Sequence, residues 1–342
     1  VRFEEVTIPV SGGEPPEALR EFVFMANLAA QETTGDRDVS VSVERVTDDL
    51  LGSSESRSLL DTALDQRGDP AGWVRVSLPL VDDPTTASLE VVLDAGFQPL
   101  PGQPMEAGAR ELLGALLDHG QWRAAQAPWL RSVLHTAHMH PAGSSGHGCD
   151  HCLVLVERGY VLAHEEIQQI LPVVSTDFGP EGLRVHRVVG TGIPAELIDG
   201  QVELQTIAST DVPHGALSTA AAPWSADRLA EQAERIARSG TGLVSVYFSD
   251  GSGVVATSSI SIPPGANPGA AEQGLTIVHP RMRGRGLGTA IKLSCMSLLH
   301  ERFPEINRVA TSNAVDNPAM LAVNRALGAR ELSRTTLWEK RS

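Results

Sequence analysis

The stretch "LTIVHPRMRGRGLGTA" (275–290) sets three arginines and three glycines between an apolar, strand-like run and the start of a helix pattern. Backbone amides exposed where a strand gives way to a helix make an anion site, and glycines there let a phosphate come close to the main chain. The spacing is Arg283-x-x-Gly286-x-Gly288, with Gly284 and Arg285 between and Leu287 opening the apolar face of the helix. Two familiar phosphate loops are excluded. A nucleotide P-loop needs Gly-Lys-Ser/Thr, and a dinucleotide fingerprint needs a glycine just after the strand, where His279-Pro280 stands. Taken alone, the turn also suits a basic surface loop that caps a helix.

Working outward, "GLRVHRVVG" (182–190) alternates like a strand, and "PAELIDGQVELQTIAS" (194–209) opens with proline at a helix start. Ser225 is placed to cap a helix over "ADRLAEQAERIARSG", whose Leu229, Ala233 and Ile236 share one face. Two strands follow, "TGLVSVYFSD" and "GVVATSSISI", joined at Asp250-Gly251, a strong hairpin signal. After a proline- and glycine-rich run come the strand "AEQGLTIVH", the turn, a helix over 287–302, the strand "INRVATSN", a helix over 318–327 and the strand "ELSRTTLWEK". This order predicts a mixed α/β fold around a central sheet.

Strand, Arg-x-x-Gly-x-Gly turn and the segment "SNAVDNPAMLAVNRALGA" together resemble the acetyl-CoA site of the GNAT superfamily of acyl-CoA-dependent N-acetyltransferases. The resemblance implies that acetyl-CoA is the co-substrate. It puts CoA contacts on Thr276, Ile277 and Val278 of the strand, on Arg283, Gly284, Arg285, Gly286, Leu287, Gly288 and Thr289 of the turn and helix start, and on Asn313 and Asn317. The first half repeats the order in "AGWVRVSLPL", "TASLEVVLDAGFQPLPGQPMEAGARELLGALL" and "HCLVLVERGYVLAHEE", read as strand, strand-turn-helix and final strand. The whole is similar to the tandem arrangement to which mycothiol synthase belongs. It implies two GNAT-like domains, 1–172 and 173–342, each a mixed, mostly antiparallel sheet flanked by helices. In the first copy the turn reads Pro99-Leu100-Pro101-Gly102-Gln103-Pro104. Proline has no amide hydrogen, so this copy is expected to be degenerate in CoA binding and to be structural or to shape the substrate cleft.

For the reaction, an amine must lose a proton, the thioester carbonyl must be polarised and a thiolate must leave. The resemblance assigns polarisation to a main-chain amide at Val278 and the base, through water, to Glu272. A solvated strand-end carboxylate is the plain alternative for Glu272. The family's usual acid is a tyrosine in the final helix, where Asn324 stands here. Asp211 and His214 fall in the region that lines the acceptor pocket. The expected reaction is acetyl transfer to the primary amine of a small molecule; transfer to a hydroxyl, or a non-enzymatic acyl-CoA sensor or scaffold, are the alternatives.

The length of 342 residues suits two domains. The formal charge of −15 is uneven: up to Pro172, 11 Arg and Lys face 26 Asp and Glu, and beyond it 16 face 16. An acidic first half favours a cationic acceptor over an anionic one. No basic stripe with interleaved aromatics argues for nucleic acid, and no apolar run approaches a membrane span. Three cysteines and no leader pattern point to a cytoplasmic protein, monomer or homodimer. One cluster, "HTAHMHPAGSSGHGCDHC" (135–152), crowds His147, Cys149, His151 and Cys152. Cys-x-x-Cys beside histidines can hold zinc. With no second Cys-x-x-Cys, and with His151 and Cys152 pointing apart if "LVLVERG" continues a strand, no metal is assigned.

Overall fold

The computed structural model describes residues 1–9, 13–127, 131–144, 148–176, 179–265 and 267–341, with only the backbone at Asp38. Twenty elements fall into two series of identical order. The first is β1 (Arg2–Glu5), α1 (Glu17–Thr34), α2 (Val43–Leu51), β2 (Ser56–Leu64), β3 (Pro70–Pro79), β4 (Thr86–Leu93), α3 (Ala107–Ala125), β5 (Val133–Pro141), α4 (Asp150–Glu157) and β6 (Val161–Pro172). The second is β7 (Arg184–Val189), α5 (Ala195–Asp211), α6 (Ala226–Arg238), β8 (Gly242–Asp250), β9 (Gly253–Ile262), β10 (Ala270–Val278), α7 (Leu287–Arg302), β11 (Arg308–Ala314), α8 (Pro318–Ala326) and β12 (Arg330–Arg341). Each element has a counterpart, so the duplication extends over the whole chain.

The compact units do not follow a single cut in the sequence. One comprises Val1–Glu166, His214–Thr219 and Leu332–Ser342; the other comprises Ile167–Pro213 and Ala220–Glu331. In the first unit the strands run β1-β2-β3-β4-β5-β12. β12 lies antiparallel to β5 from Ser333↔Pro141 to Arg341↔Val133, so the last strand of the second series completes the first unit's sheet. In the second unit the order is β6-β11-β10-β9-β8-β7, with β6 contributing from Ile167 onward. The final strands are exchanged. Periodicity marks a strand but does not name its neighbour, so a boundary at Pro172 read from the chain cannot express the exchange.

In the first unit, Leu112, Leu113, Leu116 and Leu117 of α3 bury against Val74, Val76 and Leu89 of the sheet. The segment read as one final strand splits into α4 and β6. Cys149 caps α4, its Sγ accepting from the Cys152 amide at 3.3 Å. A run of four apolar residues cannot by itself distinguish strand from buried helix, and the cap decides the matter here.

In the second unit, α7 covers one face of the sheet through Ile291, Cys295, Leu298 and Leu299, and α5 covers the other through Leu197 and Leu204. The pairs β7–β8, β8–β9 and β9–β10 are antiparallel, while β10 and β11 run parallel. Ser225 caps α6, accepting from the Arg228 amide at 3.2 Å. β10 changes faces midway. Ala271 packs on the α7 side, while Leu275 and Ile277 pack on the α5 side, although residues 271 and 277 would share a face in a regular strand. The cause is a one-residue bulge: Gln273 pairs with Ile260 and Thr276 with Ser258, three steps against two.

Candidate active site

The bulge opens a cleft in the second unit. β10 pairs with β11 only from Ala270↔Arg308 to Glu272↔Ala310, and beyond that point no register joins them. On the other side, β10 keeps its register with β9 through Val278↔Ala256, and His279 N donates to Val255 O at 2.8 Å. Antiparallel bonds alternate, so the edge groups of His279 and Ile277 face β9 and those of Val278 and Thr276 face away from it. Thr276 and Val278 thus present main-chain groups to the gap that β11 leaves. Carrying the parallel register forward places Asn313 across that gap, level with the bulge. Its Nδ2 donates to Thr311 Oγ1 at 3.3 Å.

The bulge is held by side chains. Gln273 Nε2 donates to Ser259 O at 2.6 Å and lies 3.2 Å from Ser258 Oγ, which in turn is 2.9 Å from Thr276 Oγ1. A Cβ on Gly274 would meet Ser259 Oγ at 2.4 Å, so glycine lets the bulged backbone lie against β9.

At the far end of β10 the chain turns through a short 3₁₀ segment (Pro280–Met282) into α7. His279 caps the segment, its Nδ1 accepting from Arg281 N at 3.2 Å. Gly284 and Gly286 have φ of +75° and +73°, left-handed conformations that favour glycine. Gly286 is the N-cap of α7 and offers no side chain, and the first turn carries no acidic residue. The opening amides of α7 therefore lack both an intrahelical acceptor and a capping oxygen. They border a cavity of about 570 Å³ lined by Arg285, Gly286, Leu287 and Ala290 on one side and by Gly182, Leu183 and Asp250 on others.

The three arginines are not equivalent. Arg281 forms a two-pronged pair with Asp250 at 2.6 and 3.2 Å, which holds the Asp250 carboxyl well below the usual carboxylate range. Arg283 donates from Nη2 to Asp211 at 2.5 Å and from Nε to Val278 O at 3.0 Å. Arg285 makes no ion pair among the described residues and stands on the cavity wall. The amides and Arg285 are thus the groups left for an anion. Arg285→Ala is expected to weaken CoA binding about tenfold, the loss of one charge-assisted hydrogen bond, whereas Asp211→Asn should tighten it a few-fold by releasing Arg283. Calorimetric titration reads both signs.

Of the predicted contact residues, Arg285, Gly286 and Leu287 line the cavity, Thr276 and Val278 lie on β10 beyond its last pair with β11, and Asn313 lies on β11 across the gap; Arg283, Gly284, Gly288 and Thr289 belong to the same turn and helix start without lining the cavity. Ile277 borders neither gap nor cavity: it is 7% exposed and packs among Val188, Leu197 and Leu204. Asn317 caps α8, accepting from Met320 N at 3.1 Å. Glu272 is half-buried at the last β10–β11 pair, where the strands part. The parting point lies well before Val278, so the amide expected there to polarise the thioester sits nearer the turn, and the bulge from Gln273 to Thr276 stands where the cleft begins. Asp211 and His214 are not brought together within one unit: Asp211 ends α5 beside Arg283, while His214 belongs to the first unit.

Asn324 is a structural link with no access to a substrate. It is fully buried, accepts from Lys292 Nζ at 2.7 Å and donates to Gln169 Oε1 at 2.9 Å. An acid must reach the leaving thiolate, and this amide faces the interior. Tyr247 is equally removed, buried with its hydroxyl pushed up to about 12. No sequence signal marked Lys292, which is 1% exposed and lowered by burial to about 8. Its folded pKa lies below the ordinary lysine value of 10.5, so between those values the unfolded chain binds more protons and stability rises with pH. From pH 7.5 to 9.5 the wild type should gain about 2 kcal/mol relative to Lys292→Met, read by urea unfolding at both pH values.

In the first unit a carboxylate lies just ahead of the matching helix. The main-chain amide of Met105, just before α3, donates to Asp150 Oδ2 at 2.7 Å, and Asp150 Oδ1 takes Arg110 Nη1 at 2.8 Å. The carboxylate thus sits at the residue before the α3 N-cap, Glu106, whose own side chain makes no cap bond.

No family model matches the chain, and no curated protein sequence matches it. Solved structures do. A tandem GNAT protein from the clavulanic acid biosynthesis pathway, determined without acetyl-CoA, superposes with a TM-score of 0.72 at 21% identity over 99% of this chain and 98% of that one. A GCN5-related N-acetyltransferase from Sphaerobacter thermophilus gives 0.62 at 19% identity over 95% and 94%. A GNAT-family acetyltransferase from Colwellia psychrerythraea gives 0.56 at 10% identity over the full length of both chains. These likenesses establish the GNAT fold.

Proposed function

We propose that the second unit is an acetyl-CoA-dependent N-acetyltransferase that acts on a primary amine of a small molecule. The observation that carries this reading is the alignment of three features along one strand. Bare α7 amides with Arg285 suit the CoA pyrophosphate. The edge of Thr276 and Val278, which has no strand partner and on which only Val278 O is engaged, by Arg283 Nε, suits the pantetheine arm, with Asn313 opposite. The bulge then receives the thioester end, where an amide of the Gly274–Thr276 segment supports charge developing on the carbonyl oxygen. Glu272, where the strands part, takes the ammonium proton through water, and the neutral amine attacks. Direct transfer in a ternary complex is favoured by the burial of the second unit's cysteine, which offers no acyl acceptor: Cys295 is fully buried, with its thiol pushed up to about 12 by burial.

Tyr247 is buried and Asn324 faces the interior, so in this reading solvent protonates the leaving thiolate. The same feature supports a second reading, an acyl-CoA sensor without turnover. Thiol release from acetyl-CoA against a panel of amines separates the two. Amine-dependent release supports the transferase, and tight binding with no release above background for any amine supports the sensor. The acidic first half is expected to favour cationic amines, with second-order rates that fall as salt rises.

A further inference from the structure

The first unit carries a cluster of histidines and cysteines that the proposed reaction does not use. His138 and His140 lie two apart on β5 and so share a face of the strand. Facing them is the start of α4, where Cys149 is the cap and Cys152 lies in the first turn. The ring centroids of His138 and His140 are 4.6 Å apart, edge to face. Ligand atoms of His138, His140 and Cys149 all fall within 4.8 Å of one another. Cys152 Sγ is 3.0 Å from Cys149 Sγ and 3.9 Å from His140 Nε2. Four nitrogen and sulfur donors thus converge from two elements.

His151 and Cys152 would point apart only along a strand. Because the segment is helical, Cys149 and Cys152 sit three apart on one helix face, and His151 turns aside to stack on His138 at 3.9 Å. The second ligand pair comes from β5 instead of from another Cys-x-x-Cys. We propose that His138, His140, Cys149 and Cys152 form a structural zinc site.

Distances and chemistry agree with this assignment. A tetrahedral centre with Zn–S near 2.3 Å and Zn–N near 2.0–2.1 Å separates its sulfurs by about 3.8 Å and sulfur from nitrogen by about 3.5 Å. The sulfur pair at 3.0 Å must widen by about 0.8 Å and the sulfur–nitrogen pair at 3.9 Å must close by about 0.4 Å, within reach of side-chain rotations. Cys152 and His140 are 1% and 5% exposed, and a buried cation requires compensation. On binding, the two thiols release two protons to solvent. The resulting thiolates cancel the charge of Zn²⁺, and two neutral imidazoles complete a closed four-coordinate shell. Soft sulfur beside imidazole selects zinc over magnesium or calcium, and the four protein ligands leave no open position for catalysis.

The surroundings hold the donors in place without competing as ligands. Asp150, between the cysteines in sequence, is engaged by Met105 N and Arg110, which fixes α4 against α3. Thr336 Oγ1 donates to His138 O at 3.2 Å and lies 2.9 Å from His140 Nε2, which exchanges this hydroxyl for the metal on binding. His147 lies outside the described residues. The site would tie the end of β5 to the start of α4 in the unit whose turn is broken by prolines.

The test uses the full chain, stripped with a chelator under reducing conditions and titrated with Zn²⁺ alone, then with Co²⁺. The expected result is one equivalent bound, a raised melting temperature, and a cobalt spectrum with thiolate charge-transfer and tetrahedral d–d bands. Cys149→Ser and His140→Gln should each lose that equivalent, while His151→Phe keeps it. Failure of the reduced wild type to take up either metal overturns the proposal. So does an octahedral cobalt spectrum without thiolate bands, or a full equivalent retained by Cys149→Ser. Because the wild-type titration and spectrum decide the matter, poor folding of a variant leaves no escape.

Discussion

Gly286→Pro is expected to abolish CoA binding, with affinity falling at least about 10²-fold, the loss of two charge-assisted hydrogen bonds. Gly286 sits at φ +73°, and proline fixes φ near −65°, so the substitution turns the cap away and removes an amide donor. Gly286→Ala is the control. It keeps the amide and pays only the left-handed strain of about 1–2 kcal/mol, so its affinity should fall less. The wild type should bind one CoA per chain, because the first unit's turn has prolines at 99, 101 and 104, which remove amide donors, and an Asp150 carboxylate beside it at Met105 N. Since α7 is a core helix, the proline variant is compared at a temperature where its circular dichroism matches the wild type. Affinity within threefold of wild type in that variant removes the turn from the binding site.

The second large effect concerns Glu272. Glu272→Gln keeps size and hydrogen-bonding shape but cannot accept a proton, so kcat should fall on the order of 10²-fold with CoA affinity nearly unchanged. The reason is position: Glu272 ends the β10–β11 pairing, and the cleft begins there. A drop in turnover accompanied by an equal loss of CoA affinity would point to a role in holding the strands. Unchanged turnover across the pH profile would leave proton removal to solvent.

The elements around the turn were legible because each carries its own local signal. Ser225, Asp250-Gly251 and the glycines at 284 and 286 dictate a cap, a hairpin and a left-handed entry without help from distant residues. The helix expected over 287–302 is α7 as observed. What stayed hidden depends on partners remote in the chain. Nothing in "ELSRTTLWEK" announces that β12 pairs with β5, because a strand's alternation is the same beside any neighbour. The bulge was likewise invisible, and with it the reversal that buries Ile277 while exposing the edge groups of Thr276 and Val278. Arg283 read as free charge, since Asp211, its partner, is 72 residues away. Asn324 occupied the right position for an acid, but burial beside Lys292 settles its role by packing, which spacing does not encode.

A crystal structure of the full chain with CoA tests the central claim most directly. The account predicts the pyrophosphate within hydrogen-bond distance of the main-chain amides at the start of α7 and of Arg285. It also predicts the pantetheine arm paired along the edge of Thr276 and Val278 opposite Asn313, with the thiol at the Gln273–Thr276 bulge. Pyrophosphate seated at the α3 turn of the first unit, or an arm that leaves the β10 edge unpaired, would contradict it.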